Sequence, residues 1–158
     1  MAVKRSEVFE WISTLVRLSM AGILIFAAIP KLQDIQGSIR AVRAYRLLPE
    51  ATVEFVGTVL PILELSLALF LLLGLFTRIA AIVWLAMMAA FMFGVIWVWA
   101  KGYTIDCGCF GGGGDVKAGE ANYPIHLLER VGFVALGTWL LLWPRTKFSV
   151  DNWMRGGN

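Results

Sequence analysis

The sequence predicts an all-α fold, a four-helix transmembrane bundle carrying an outer-face Cys/Gly loop. Three observations predict it. The 158 residues are 59% hydrophobic and 16% charged, with a mean hydropathy of +0.75; a soluble domain averages about 45–50% apolar and about 25% charged. Four runs have the roughly 20 apolar residues that a helix needs to cross a hydrocarbon core of about 30 Å. Both cysteines fall in the one long glycine-rich polar segment between two of those runs.

The first run covers about 8–29. It is too long for a signal-peptide core, contains Arg17 and is followed by no A-x-A site, so it reads as a retained helix. A polar connection, 31–52, follows Pro30-Lys31. Ile35, Ile39, Val42, Leu47 and Leu48 alternate there with Arg40, Arg43 and Arg46 at spacings of three and four. That pattern predicts a short amphipathic helix lying at the membrane interface, ended by Leu48-Pro49. The second and third runs, about 53–76 and 78–100, are joined so tightly around Gly74 that they form an antiparallel hairpin. The third ends in Trp97 and Trp99, as interfacial belts do. The loop 101–123 leads to the fourth run, about 124–143, with Asn122 as the expected N-cap, Pro124 in the first turn and Pro144 as the stop. All of this reads as a single four-helix membrane domain, 1–158. Gly57, Gly74 and the alanines of the third run allow close helix packing.

The net charge of +3 comes from scattered basic residues with no basic stripe, so nucleic acid is not an expected partner; membrane lipid is. An even number of spans puts both termini on one side. The positive-inside rule does not choose the side. Lys4, Arg5, Arg78, Arg145, Lys147 and Arg155 balance Lys31, Arg40, Arg43, Arg46, Lys101 and Lys117.

Cys107 and Cys109 stand in Asp106-Cys107-Gly108-Cys109-Phe110-Gly111. A bond between them would close almost no loop, so it would add little structural stability and would be readily reduced. Gly108 allows a tight turn, and the following glycines leave backbone for another protein to approach. The pattern reads as an exchangeable dithiol. Two thiolates also suit a soft ion such as Cu(I), which makes a soft-metal carrier the rival, and two unconnected thiols remain the bland alternative. His126 is the only histidine, so a zinc site is not expected. Disulfide chemistry belongs outside the cytosol. The loop is therefore expected on the periplasmic or extracellular face of the inner (plasma) membrane, with both termini cytoplasmic.

Arg17 and Glu64 lie about halfway along their runs. A buried ionised group is costly unless paired, and counting depth from each end predicts that these two meet. They then fix helix register or form a proton or quinone site. His126, Glu129 and Arg130 open the fourth run. His126 and Arg130 share a face. His126 is a candidate to take a thiol proton or to bond a quinone carbonyl, against the alternatives of a satisfied interfacial histidine and a snorkelling arginine. Asp106 raises the pKa of its neighbouring thiol, an effect that His126 or Arg130 would offset.

The ordered set Ala27-Ala28-Ile29-Pro30-Lys31-Leu32, Tyr45-Arg46-Leu47-Leu48-Pro49, Leu60-Pro61-Ile62-Leu63-Glu64-Leu65, Leu72-Leu73-Gly74-Leu75-Phe76-Thr77-Arg78 and Asp106-Cys107-Gly108-Cys109-Phe110-Gly111 resembles the DoxX-like membrane proteins, and within them the methylamine-utilisation MauE branch. The resemblance covers about residues 10–140. It implies a four-helix bundle that handles periplasmic thiols beside a thioredoxin-like partner, with quinone coupling known among the wider relatives. It also implies that Cys107 and Cys109 are the redox pair and that Glu64, Lys31 and Arg78 are the polar binding positions. The four consecutive glycines depart from the usual loop. The expected activity is that of a thiol–disulfide oxidoreductase, with a quinone as the candidate cofactor. The alternative is a non-catalytic structural or assembly subunit of a larger membrane complex.

Overall fold

The computed structural model describes residues 2–108, 112–117, 121 and 123–154, with side chains from residue 7. Cys109, Phe110, Gly111 and the expected N-cap Asn122 lie outside the described residues. The elements run α1 (Ala2–Gln33), α2 (Ile35–Ala44), α3 (Glu50–Leu73), α4 (Thr77–Ala100), β1 (Ile105–Asp106), β2 (Gly114–Asp115), α5 (Tyr123–Leu142) and α6 (Val150–Met154). Four helices are long and apolar enough to cross a membrane: Glu7–Gln33, Glu50–Leu73, Thr77–Ala100 and Tyr123–Leu142. The protein is a multi-pass all-α membrane bundle, as its composition predicts. A helix satisfies its own backbone polar groups where no water can, which is why uninterrupted apolar runs take this form.

Two antiparallel seams build the bundle. In the first, α1 and α2 form one bent arm along α3. Lys31 meets Glu64, Ser38 Oγ donates to the Gly57 carbonyl at 2.7 Å, and Arg43 bonds Glu50. These pairs are all centred on residues 46–48, the turn at Arg46-Leu47-Leu48. Two expectations fall here. Helix α1 runs on through Pro30 to Gln33 instead of stopping near Ile29. Helix α2 is amphipathic, with Asp34 capping it through the Gly37 N–H, but it stands against α3 instead of lying apart at an interface. The cause is Gly57, where any Cβ would come within 2.7 Å of the Ile39 Cα; the two backbones touch because that side chain is missing.

The second seam joins α4 to α5. Trp84 is fully buried and its indole N–H donates to the Phe133 carbonyl at 2.8 Å. Gly137 makes room for it, since a Cβ there would lie 2.5 Å from the Trp84 ring. Met20, Leu24, Leu67, Leu71, Met88 and Leu140 close the core between the seams. At the α3–α4 turn Gly74 takes the left-handed conformation, φ 64°, and its N–H reaches back to Leu71, a glycine C-cap.

Candidate functional site

The predicted Arg17–Glu64 contact does not form. Glu64 instead accepts from Lys31 Nζ at 2.6 and 2.9 Å, with both side chains almost wholly buried. The bent α1–α2 arm explains the change: the residue opposite Glu64 across a hairpin centred on Leu47-Leu48 is number 31. Arg17 lies fourteen residues away, about 21 Å along the helix. The signal was present in the sequence, because Leu48-Pro49 marks the turn and counting back from it gives the register.

Lys31 and Glu64 belong to a larger group. Arg130 of α5 is buried too, and the Lys31 Nζ and the Arg130 guanidinium both lie over the Phe91 ring of α4, at 5.9 and 5.7 Å. Each of the four membrane helices thus supplies one member. Two cations and one carboxylate gather there, and the Phe91 ring lies against both cations. Low polarizability around such a group makes its charges felt further than in water.

The cysteine segment sits directly above. β1 and β2 pair antiparallel, Ile105 with Asp115 and Asp106 with Gly114. The Asp106 carboxylate accepts from the Gly108 and Gly113 N–H groups, each at 3.3 Å, so its first task is to knit the hairpin. Tyr123 anchors the hairpin to α5: its hydroxyl accepts from the Ile105 N–H and donates to the Tyr103 carbonyl. On the other side Tyr45 Oη donates to the Cys107 carbonyl at 3.0 Å, and Arg46 stacks on Tyr103 at 4.6 Å. Gly108 and Gly113 have positive φ, and a Cβ on either would strike the Ala41 methyl at 2.6 or 2.4 Å. Gly108 was expected to allow a tight turn, and its φ is positive; Gly113 was expected to leave backbone open to another protein, and it lies against α2 instead. Gly112, which is exposed, keeps that property.

Between hairpin and charged group lies a cavity of about 40 Å³, lined by Lys31, Ser38, Tyr45, Phe91, Cys107 and Gly108 among others. That is room for about two waters. A wider apolar groove of about 410 Å³, between α3 and α4, shares Tyr45, Leu60 and Phe91 with it. Half-buried Cys107 therefore occupies the same space as the buried lysine.

The other predicted residues go elsewhere. His126 Nδ1 is 3.6 Å from Glu129 Oε2, half-exposed and outside the cavity lining. Arg78 is exposed in the first turn of α4, at the far end of the bundle. Arg17 is also at that end, buried, donating through Nη2 to the carbonyls of Lys147 and Phe148 at 3.4 and 3.2 Å. Asp151 completes this end by accepting from the Phe76 and Thr77 N–H groups, both at 2.8 Å. Sequence reasoning missed this docking of residues 146–151, as it missed Tyr45, Tyr123 and Phe91. Backbone carbonyls as arginine partners leave no mark in a sequence; Tyr45, beside the basic residues of the first connection, did offer one.

Among the described residues no three His, Cys, Asp or Glu side chains converge on one point. The family described as methylamine utilisation protein MauE matches residues 9–143. Curated relatives carrying the same name are similar over part of the chain. The protein from Methylorubrum extorquens is 38% identical over 65% of this chain and 55% of its own length. That from Paracoccus denitrificans is 32% identical over 61% and 53%. That from Methylophilus methylotrophus is 39% identical over 58% and 49%. The chain spans about half the length of the curated relatives it matches. No solved structure matches it significantly.

Proposed function

We propose a redox role for this chain, which belongs to the family of methylamine utilisation protein MauE: it exchanges a disulfide through Cys107 and Cys109 with a periplasmic thioredoxin-like protein. One observation carries the reading. Cys107 is held on a braced hairpin above a cavity that reaches a buried charged group in the membrane bundle. A structural thiol needs neither the brace nor the cavity.

In the exchange a thiolate of the partner attacks one sulfur of the Cys107–Cys109 bond, and a mixed disulfide forms as that bond breaks. The partner's second thiolate displaces the mixed disulfide. The partner leaves oxidised, and this chain keeps two electrons and two protons as a dithiol. The reverse direction has the same balance. To turn over, the dithiol must give up its electrons, and the chain has no second cysteine pair to pass them along. A quinone is the lipid-soluble acceptor of that chemical class: it takes up two electrons and two protons. The apolar groove beside Tyr45, Leu60 and Phe91 is the place where its ring and tail would be sought. The cysteine loop faces the periplasm in this scheme, the termini face the cytoplasm, and the membrane is the inner one. The name of the relatives supports an accessory place in methylamine utilisation.

A second reading, an assembly subunit of a larger membrane complex, draws on Phe148 and Trp153, both more than four-fifths exposed outside the four spans.

Thiol trapping in intact cells separates these readings. A membrane-impermeant maleimide is applied before and after mild reduction, and the mass of the chain is read. Two labels that appear only after reduction are the expected result. Labelling that requires lysis would remove the periplasmic redox role, and activity that survives loss of both cysteines would favour the assembly role.

A further inference from the structure

A dithiol reacts as its thiolate, so something must favour charge on Cys107. The neighbouring Asp106 carboxylate works against it, and it is fixed in place by the Gly108 and Gly113 N–H groups. Buried positive charge is supplied from the membrane helices. Arg46 lies against Asp115 at 3.8 Å, His126 against Glu129, Arg40 against Asp34 and Arg43 against Glu50, while Lys101 lies over Trp97. Of these cations and the buried Lys31 and Arg130, only Lys31 lines the cavity that Cys107 lines.

We propose that Lys31, seated on Glu64, sets the ionisation of the Cys107 thiol across the cavity the two residues share, and so tunes the reactivity of the loop from inside the membrane. Lys31 is a positioning residue here: it touches neither partner nor leaving sulfur. The inference rests on reading the cysteines as an exchangeable pair. The groups that bear on Cys107 can be named element by element: Lys31 from α1, Tyr45 from α2, Glu64 from α3, Asp106 from β1 and Arg130 from α5, with α4 giving the uncharged Phe91. Lys31 and Cys107 line the same cavity of about 40 Å³, which holds little water to screen the ammonium from the sulfur. The sign follows directly. Removing Lys31 leaves Glu64 and Asp106 to oppose a thiolate; removing the Glu64 charge frees the lysine to favour one.

The test uses the full chain in lipid nanodiscs with Cys109→Ser, so that one thiol remains and no disulfide or partner is needed. The rate of iodoacetamide alkylation of Cys107 is followed against pH. Lys31→Met should move the midpoint of the profile upward by about one unit, slowing alkylation at neutral pH by about tenfold. Glu64→Gln should move it downward, Lys31→Arg should restore the parent profile, and Lys31→Met with Glu64→Gln should fall between the single variants. A structural defect moves both single variants the same way, so opposite shifts are the signature. Shifts of one sign, or an unmoved profile in both, would overturn the assignment. Failure of the redox role itself would show in the trapping experiment and leave this profile intact.

Discussion

The two ends of the bundle bury a cation by different means. At the cysteine end Lys31 has a carboxylate, Glu64, at 2.6 Å, and beside it space remains that reaches Cys107. At the turn end Arg17 has the Asp151 carboxylate as a charged neighbour. It is held by the carbonyls of Lys147 and Phe148, in a packing so close that Gly74 has no room for a Cβ: the atom would lie 1.8 Å from Arg17 Nη1. The first arrangement pairs two formal charges and leaves a cavity. The second uses neutral carbonyl dipoles for its hydrogen bonds. What sets the cysteine end apart is a thiol and a buried ion pair beside one small cavity, and chemistry is to be sought there.

The contrast predicts unequal responses to mutation. The largest belongs to the Lys31–Glu64 pair. Glu64→Leu strands a buried ammonium and should cost about 3–5 kcal/mol of stability, while Lys31→Met with Glu64→Leu should recover much of that. Unfolding in detergent measures both, and simple additivity of the single effects would mean that the two charges do not act as a pair. Arg17→Met comes next. It deletes two charge-assisted bonds to carbonyls and should loosen residues 145–149 at a cost of about 2 kcal/mol. Proteolysis should quicken there while Cys107 alkylation keeps its rate; a change in alkylation would show the ends to be coupled. The smallest effect is that of Arg43→Ala. Its bond to Glu50 is solvent-exposed, and screened pairs of that kind contribute little, so the thermal midpoint should not move.

The sequence told much of the fold and less of the site, and the particular residues explain why. Four apolar runs name four spans because a bilayer demands that length. Gly57 was readable as a packing glycine, and the cysteine loop as a place for thiol chemistry. The Lys31–Glu64 contact was lost to one assumption, that the outer ends of α1 and α3 are level; α1 and α2 instead run together along α3. A proline in a membrane helix removes one backbone bond without ending the rod, so α1 runs through Pro30 to Gln33 and α2 carries the register on along α3. Lys31 entered only through family resemblance, since nothing in its own surroundings marks it as buried. The charged group is an even harder case: its members come from four helices and have no fixed spacing along the chain. His126 drew attention as the only histidine; it lies beside Glu129 and does not line the cavity that Cys107 lines.

The turn end also carries a consequence for biosynthesis. Asp151 supplies the acceptor for the first N–H groups of α4, and Lys147 and Phe148 supply those for Arg17. All three residues follow the four membrane helices in the chain, so they emerge from the ribosome after those helices do. Until then Arg17 and the start of α4 must be served by water or lipid headgroups. Closing that end is a late step in assembly, and a nascent chain arrested before residue 146 would present an open end to whatever quality control patrols the membrane.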